Sequence, residues 1–374
     1  MVRFQTPELP SAEEVERHFR LSRKARWFAN DGPCARLLSM RLSEWLGSGL
    51  HCIPVANGTL GVMVALRTLT ENRPPEAREV AVPSFTYVAT VSAILWAGLQ
   101  PVFVDVDADH WHAATASLHR VIAQRGRSLA CLLPCSTFGT APPVETQHSW
   151  AELARQARLP LLVDSAAGLG SIDETGSPLG GHGDAEVFSM HATKTFAVGE
   201  GGLITTRRSD LADRVRQMLR FGLDETRTLV GPPGLNGKMS ELHAATGLAV
   251  LDRFDEIIKR RRSSAARIVE ALLPGGFTFQ VNSANSSWQF VPTLAPDAAV
   301  RTRLLANAQT SGVELRDYYR PLHLMPPLRR HETVEHLEVT SELAERIVSL
   351  PMANDLDDSS LDRICSAALR ALRE

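Results

Sequence analysis

The chain is short of several things, and each shortage removes a class of answer. Cysteine is scarce: Cys34, Cys52, Cys131, Cys135 and Cys365 are the five in 374 residues. They are scattered, odd in number and mostly set in apolar stretches. That pattern reads as buried free thiols in a reducing compartment, not as a disulfide framework. No histidine spacing beside Cys131 and Cys135 suggests zinc, and no metal is expected. Long apolar runs are missing too. Nothing approaches the roughly 18 residues of a membrane span, and the N-terminus, MVRFQTPELPSAEEVERHF, lacks the apolar core of a secretion signal. The expected location is cytoplasmic. Charge of one sign is absent: 40 Lys and Arg face 42 Asp and Glu, a net charge of −2. That balance gives no support to a nucleic-acid or membrane-surface role. Neither a GxGxxG after a strand nor a GxxxxGK[ST] loop occurs, which weakens a simple nucleotide-binding reading. No internal repeat or low-complexity segment stands out.

What is present is core-forming material. Hydrophobic residues make up 44% and charged residues 22%, enough for a large interior and for two lobes. Residues 12–18 and 35–46 pattern as helices. Short, almost continuously apolar strands then follow one another: HCIPV, EVAVPSF, PVFVDVD, SLACLLPC, LPLLVDS, AEVFSM and GGLITTR. Helical segments separate the earlier ones, among them residues 60–69 and a helix ending at Gly98. This predicts an α/β fold, a three-layer α/β/α domain around a mostly parallel sheet covered on both faces. Ligands of such sheets bind beyond the carboxyl ends of the strands. Asn57-Gly58-Thr59, Ser84-Phe85, Asp164 and Ser189 all fall at such ends.

The long stretch MSELHAATGLAVLDRFDEIIKRRRSSAARIVEALL predicts helix, broken once, leading away from the sheet. Its KRRRSS run reads as a solvated helix face in preference to an anionic-substrate contact. Beyond it a smaller α+β unit is expected, with strand-like FTFQV and SWQFVPTL, a helix over 300–311, the aromatic turn DYYRPLH and a last helix over 361–372. The expected division is residues 1–250 as a large domain that includes the N-terminal helices, and 251–374 as a smaller C-terminal domain.

The chemistry centres on FSMHATKTFAVGEGG, which sets Lys194 between hydroxyl-bearing residues and a glycine-rich exit. On its own surroundings Lys194 reads as an ordinary surface lysine. Its company changes the balance. Ser189, Thr193 and Thr59 offer hydroxyls, and Gly199, Gly201 and Gly202 allow close backbone approach. Gly58-Thr59 at a strand-to-helix turn makes a natural anion cradle, because free amides at a helix N-terminus point at the ligand. Asp164 ends an apolar strand, where it is a helix cap, a ligand of a metal or phosphate site, or a partner for a cationic nitrogen.

The segments VPSFTYVATVSAILWAGLQPVFVDVD, LLVDSAAGLG, FSMHATKTFAVGEGGLITT, GLNGKMSELHAATGLAVLD and DYYRPLH occur here in the order found in the DegT/DnrJ/EryC1/StrS sugar aminotransferases, which the chain resembles from about Arg20 to Pro327. The resemblance implies a fold-type I enzyme that uses pyridoxal 5′-phosphate. Lys194 then resembles the lysine that takes up the cofactor's aldehyde, and Asp164 the carboxylate paired with the pyridinium nitrogen. Gly58, Thr59 and Ser189 resemble phosphate-holding residues, and Tyr87 matches the aromatic that stacks on the ring. Asn236 resembles an asparagine that reaches the phosphate in a neighbouring subunit, implying a homodimer with shared sites. Tyr319 and His323 match the turn that lines the sugar pocket, also from the partner. His191 resembles the histidine three residues before the lysine, with contact to the substrate and core packing as its two readings. One departure stands out: Ala167 replaces a Gln or His that supports the cofactor's ring oxygen in many members. The implied reaction moves the amino group of L-glutamate to a nucleotide-linked ketosugar, with dTDP-4-keto-6-deoxy-D-glucose as acceptor and a dTDP-4-amino-4,6-dideoxyhexose as product. Amination at C3, or a UDP- or GDP-linked acceptor, is the alternative. A C3 dehydratase of the same fold carries histidine at the position of Lys194, which argues against it. Against a lyase or decarboxylase of the same fold, DYYRPLH and GLNGKMSE favour the sugar branch. A non-catalytic relative would not need the complete set of lysine, acid and phosphate anchors.

Overall fold

Seven short strands carry side chains that are apolar on both sides, and they need cover on both faces. They are β1 (His51–Val55), β2 (Glu79–Pro83), β3 (Gln100–Val104), β4 (Leu129–Leu132), β5 (Leu162–Asp164), β6 (Ala185–Ser189) and β7 (Gly202–Thr206). The computed structural model describes residues 1–47 and 49–373. Two ladders run β1-β7-β6-β5 and β3-β2-β4. Parallel bridges from Leu132 to Leu161 and from Cys135 to Asp164 join them into one sheet. Its pairs are parallel except where β7 lies antiparallel to β1 and β6. Alternation along β2 shows why both faces are dry: Val80 and Val82 enter one cluster, Ala81 the opposite one.

The helices supply the cover. Seven pack on or beside the sheet: α1 (Ala12–Ala25), α2 (Pro33–Leu46), α3 (Gly58–Thr70), α4 (Val88–Trp96), α5 (Thr115–Arg125), α6 (Val144–Ala157) and α7 (Ser209–Met218). α3, α4 and α7 share the cluster of Val80 and Val82, while α5 and α6 share that of Ala81. The long helical stretch is broken as expected, into α8 (Glu241–Leu251) and α9 (Phe254–Leu272). α9 serves two interiors. Phe254, Ile257 and Ile258 join the core of α2 and α8, whereas Ala265, Ile268 and Leu272 join the C-terminal core. The latter is built on β8 (Val291–Leu294) antiparallel to β9 (Ile347–Leu350), with α10 (Ala298–Ala306), α11 (Ala308–Ser311), α12 (Glu338–Arg346) and α13 (Asp358–Arg370). Val2 belongs to this core and pairs with Val313.

Two expectations are corrected in this region. FTFQV is not a strand; Thr278 makes a single bridge to Leu294, and Phe277 is a fully buried anchor. The KRRRSS run is a solvated face only in part: Lys259, Arg260 and Ser263 are exposed, but Arg261 and Arg262 turn inward. Arg261 is 5% exposed and donates to the carbonyls of Trp288 (2.7 Å) and Gln289 (3.3 Å) and to Asn354 Oδ1 (2.6 Å). Arg262 donates to the carbonyls of Gly170, Asn285 and Ser286. With those carbonyls taken by guanidinium groups, residues 285–289 run as a loop and strand pairing starts only at Val291.

α8 is tied down by a buried carboxylate. Glu241 accepts from the amides of Cys34 (2.7 Å) and Ala35 (3.0 Å) at the start of α2, and from Ser22 Oγ (2.6 Å) at the end of α1. It caps one helix from another, with its negative charge at the positive end of the α2 dipole. Removing it strands three buried donors. Glu241→Ala should therefore lower the unfolding free energy by roughly 3 kcal/mol, read as an earlier midpoint in denaturant. A midpoint like that of the unsubstituted protein would contradict this.

Candidate active site

The carboxyl ends of β1, β5 and β6 face one cleft of about 900 Å³. Gly58, Thr59, Tyr87, Asp164, Ser189, His191, Lys194 and Tyr319, all named from sequence, line it together. Asn57 caps α3 by accepting from Leu60 N at 2.9 Å, and Gly61 N bonds the Asn57 carbonyl. The amides of Gly58 and Thr59 are thereby left without an acceptor among the described residues, as helix geometry leaves them. The glycines here are steric necessities. A Cβ on Gly58 would stand 3.0 Å from Ser189 Cβ, and one on Gly202 would stand 2.7 Å from Gly58 N. The α3 N-terminus, β6 and β7 are pressed together without room for side chains.

Asp164 is 7% exposed. It accepts from Thr90 Oγ1 at 2.6 Å and from Ala166 N at 3.0 Å. Burial raises its pKa, while the bonds from Thr90 and Ala166 and the charge of Lys194 pull the other way. Lys194 sits in a tight turn, its amide bonded to the His191 carbonyl at 2.8 Å. Buried Phe196, packed edge-on against Phe254, roots that turn in the core. Lys194 Nζ donates to Gln289 Oε1 at 2.9 Å. The residue keeps some exposure, but desolvation at its amino end pulls the pKa down to about 8, and Asp164 opposes that fall. The two charges share one cleft floor, each disfavoured by burial and each partly restored by the other.

Around them stands an aromatic wall. Tyr319 stacks on Phe138 with ring centroids 4.6 Å apart, and faces Tyr87 at 6.3 Å. The expectation that Tyr319 arrives from a partner is corrected: it lines the cleft of its own chain. His323 also belongs to its own chain's packing and is not a cleft-lining residue. Its Nδ1 lies 2.7 Å from Ser84 Oγ, which pins the DYYRPLH turn to the end of β2. Burial lowers the His323 pKa. His191 lines the cleft edge, with Nδ1 2.9 Å from Thr193 Oγ1 and Nε2 3.6 Å from Glu200. Asn236 is exposed and does not line this chain's cleft; its Oδ1 accepts from Lys238 Nζ at 2.6 Å. Ala167 is buried and its carbonyl accepts from Ser287 Oγ at 3.1 Å.

Among the lining residues not singled out from sequence are Thr90, Gln289 and Tyr318. Thr90 falls inside VPSFTYVAT, in the first turn of α4 just after β2, and that placement was its available signal. Gln289 carries none, because its contact with Lys194 spans 95 residues. The thiols behave as expected: Cys34, Cys52, Cys131 and Cys135 are free and buried, and Cys365 is free and half-buried. Among the described residues no group of His, Cys, Asp and Glu could hold a metal, and no helix is long and apolar enough to cross a membrane.

The chain matches known proteins along nearly its whole length. A model of the DegT/DnrJ/EryC1/StrS aminotransferase family matches residues 11–369. Protein Rv3402c of Mycobacterium tuberculosis is 35% identical, covering 98% of this chain and 89% of that protein. The dTDP-4-amino-4,6-dideoxy-D-glucose transaminase of Shigella dysenteriae is 28% identical, covering 96% of each chain. Among solved structures, DesI in the presence of its TDP-sugar product superposes with a TM-score of 0.87 at 30% identity, covering 99% of this chain and 92% of that one.

The depressed Lys194 pKa makes a direct prediction. Lys194 is one of four lysines in the chain. In cofactor-free protein its labelling by an amine-reactive reagent should rise with a midpoint near pH 8, as its amine loses the proton. Peptide mass spectrometry across pH reads each site. A midpoint for Lys194 at the ordinary lysine value of 10.5 would show that its amino end is not desolvated.

Proposed function

The chain belongs to the DegT/DnrJ/EryC1/StrS aminotransferase family, and on that premise we propose how its cleft works and what it takes. It is a pyridoxal phosphate-dependent aminotransferase of fold type I. The cleft fits that cofactor: unpartnered amides at the α3 N-terminus for a phosphate, a buried carboxylate for a cationic ring nitrogen, and a desolvated amine for an aldehyde. Gly58, Thr59 and Ser189 would hold the phosphate, Asp164 the ring nitrogen, Tyr87 the ring face and Lys194 the aldehyde. When bound, pyridoxal phosphate supplies a carbonyl that accepts an amino group and a protonated ring that withdraws electrons from the carbon bearing it.

The residues do the rest. Asp164, whose ionised form Thr90, the Ala166 amide and Lys194 favour against the penalty of burial, would keep the proton on the ring nitrogen. Lys194, whose pKa desolvation lowers to about 8, would take the α-proton of the amino donor and return it at the cofactor carbon on the other side of the amino nitrogen. The wall of Tyr319, Phe138 and Tyr87 narrows the approach of water. His191 and Tyr319 stand where they would meet the substrate, and His323 would act through the turn it fixes.

The acceptor is a nucleotide-linked ketosugar, and L-glutamate is the amino donor. The finer reading is dTDP-4-keto-6-deoxy-D-glucose, giving a dTDP-4-amino-4,6-dideoxyhexose. The dTDP-sugar transaminase from Shigella dysenteriae and the TDP-sugar complex of DesI support it, since both align over nearly the whole chain. The carrying observation for the reaction class is Lys194 facing Asp164 across one cleft floor. A panel of nucleotide ketosugars supplied with L-glutamate tests the acceptor, with products identified by NMR. The expected product is the dTDP-4-amino sugar. Amination at C3, or of a UDP- or GDP-linked sugar alone, would replace this acceptor, and no amination of any ketosugar would remove the class.

The site would be completed in a homodimer. Asn236 stands exposed outside its own cleft, in a segment that also exposes Phe221, Leu229 and Val230. Asn236 would reach the cofactor phosphate of the second copy. Asn236→Ala should weaken cofactor binding by roughly tenfold, about 1.4 kcal/mol for a lost phosphate contact, without altering the mass measured by light scattering. Unchanged affinity in a stable dimer would remove Asn236 from the site.

A further inference from the structure

We propose that Gln289 is a positioning residue for Lys194, holding the lysine amine with one end of its amide and presenting the other end to the cofactor oxygen beside the aldehyde. This rests on pyridoxal phosphate occupying the cleft.

The side chain is fixed before any ligand arrives. Gln289 is 5% exposed, yet it lines the cleft. Its backbone carbonyl and that of Trp288 are held by Arg261. The same loop is stitched to both halves of the floor: Ser287 Oγ donates to the Ala167 carbonyl at 3.1 Å, and Thr195 Oγ1 donates to the Ser287 carbonyl at 3.2 Å. The loop therefore links the turn after Asp164 to the turn that carries Lys194. The buried guanidinium in α9, which reads in sequence as part of a solvated run, is what holds it there.

The amide has one orientation. An ammonium has donors and no acceptor, so the atom at 2.9 Å from Lys194 Nζ is the Gln289 oxygen. The amide nitrogen is then the end not bonded to the lysine. It carries no hydrogen bond to a described residue, and it is not among the buried polar atoms left without a partner. It opens to the cleft with its donors free. In pyridoxal phosphate the ring hydroxyl sits on the carbon next to the one bearing the aldehyde. A donor held beside Nζ is thus held beside that oxygen, while Asp164 serves the nitrogen across the ring. Ala167 has no side-chain donor to offer.

A donor at that oxygen stabilises its ionised form and eases loss of the proton it shares with the lysine nitrogen. Other titratable groups facing this point from the cleft lining are Asp164, His191, Glu200, Tyr87, Tyr318 and Tyr319. With Arg261 behind the loop, they stay in place when Gln289 is changed.

The test is a pH titration of the visible absorption band of the holoenzyme. Gln289→Leu should raise its midpoint by about one pH unit, a tenfold change in the protonation equilibrium. Gln289→Glu keeps an acceptor for Lys194 but has no donor and adds negative charge, so it should raise the midpoint at least as far. Gln289→Glu also carries the test if the leucine variant does not fold. A midpoint unchanged from that of the unsubstituted enzyme, in a variant that still binds the cofactor, overturns the proposal. If the unsubstituted protein shows no absorption band of bound pyridoxal phosphate, the cofactor reading fails and this proposal falls with it; a band present but with the same pH response in all three proteins overturns this proposal alone.

Discussion

Two opposite charges are held out of water on one cleft floor, and the architecture around them exists to keep them there. Burial makes the Asp164 carboxylate harder to ionise and the Lys194 amine easier to deprotonate. Neither residue is left to this penalty alone. Thr90 and the Ala166 amide hold the carboxylate, Gln289 holds the amine, and each charge steadies the other. The result is a pair whose proton affinities are drawn toward each other, the condition under which an amine can both give and take a proton near neutral pH.

The sheet explains how that pair is placed. Asp164 ends β5, Ser189 ends the neighbouring β6, and the lysine turn follows directly from it. β7 then returns antiparallel, close enough to the start of α3 that a Cβ on Gly202 would stand 2.7 Å from Gly58 N, while Ser189 of β6 crowds Gly58 itself. This crowding brings the free amides of a helix N-terminus alongside the strand ends that carry the acid and the amine. Catalytic geometry and sheet packing are here the same constraint.

Much of this was legible from residue order. Apolar runs of four or five residues marked the strands, because a doubly covered parallel sheet leaves no polar alternation to confuse the pattern. The acid, the lysine and the glycines were visible because they lie at strand ends or in a local motif. Contacts between distant segments were not legible. Arg261 sits in a run of three arginines that looks solvated, and only the fold shows two of them turned onto a loop some 25 residues away. FTFQV has the composition of a strand, but a single bridge is all the pairing it finds. The aromatic turn was recognised as site-forming while its owner was misjudged. Tyr319 reaches the cleft of its own chain because Ser84 pins the turn to β2, a contact between residues 239 positions apart.

The central claim is that Lys194 is the amine that binds the cofactor and Asp164 the acid that faces it. Borohydride reduction of the pyridoxal phosphate-loaded protein, followed by peptide mapping, tests it most directly. The account predicts one pyridoxyl group per chain, on the peptide containing Lys194, with Lys194→Ala left unlabelled. A label on Lys24, Lys238 or Lys259 in its place, or equal labelling of the Lys194→Ala protein, would contradict it.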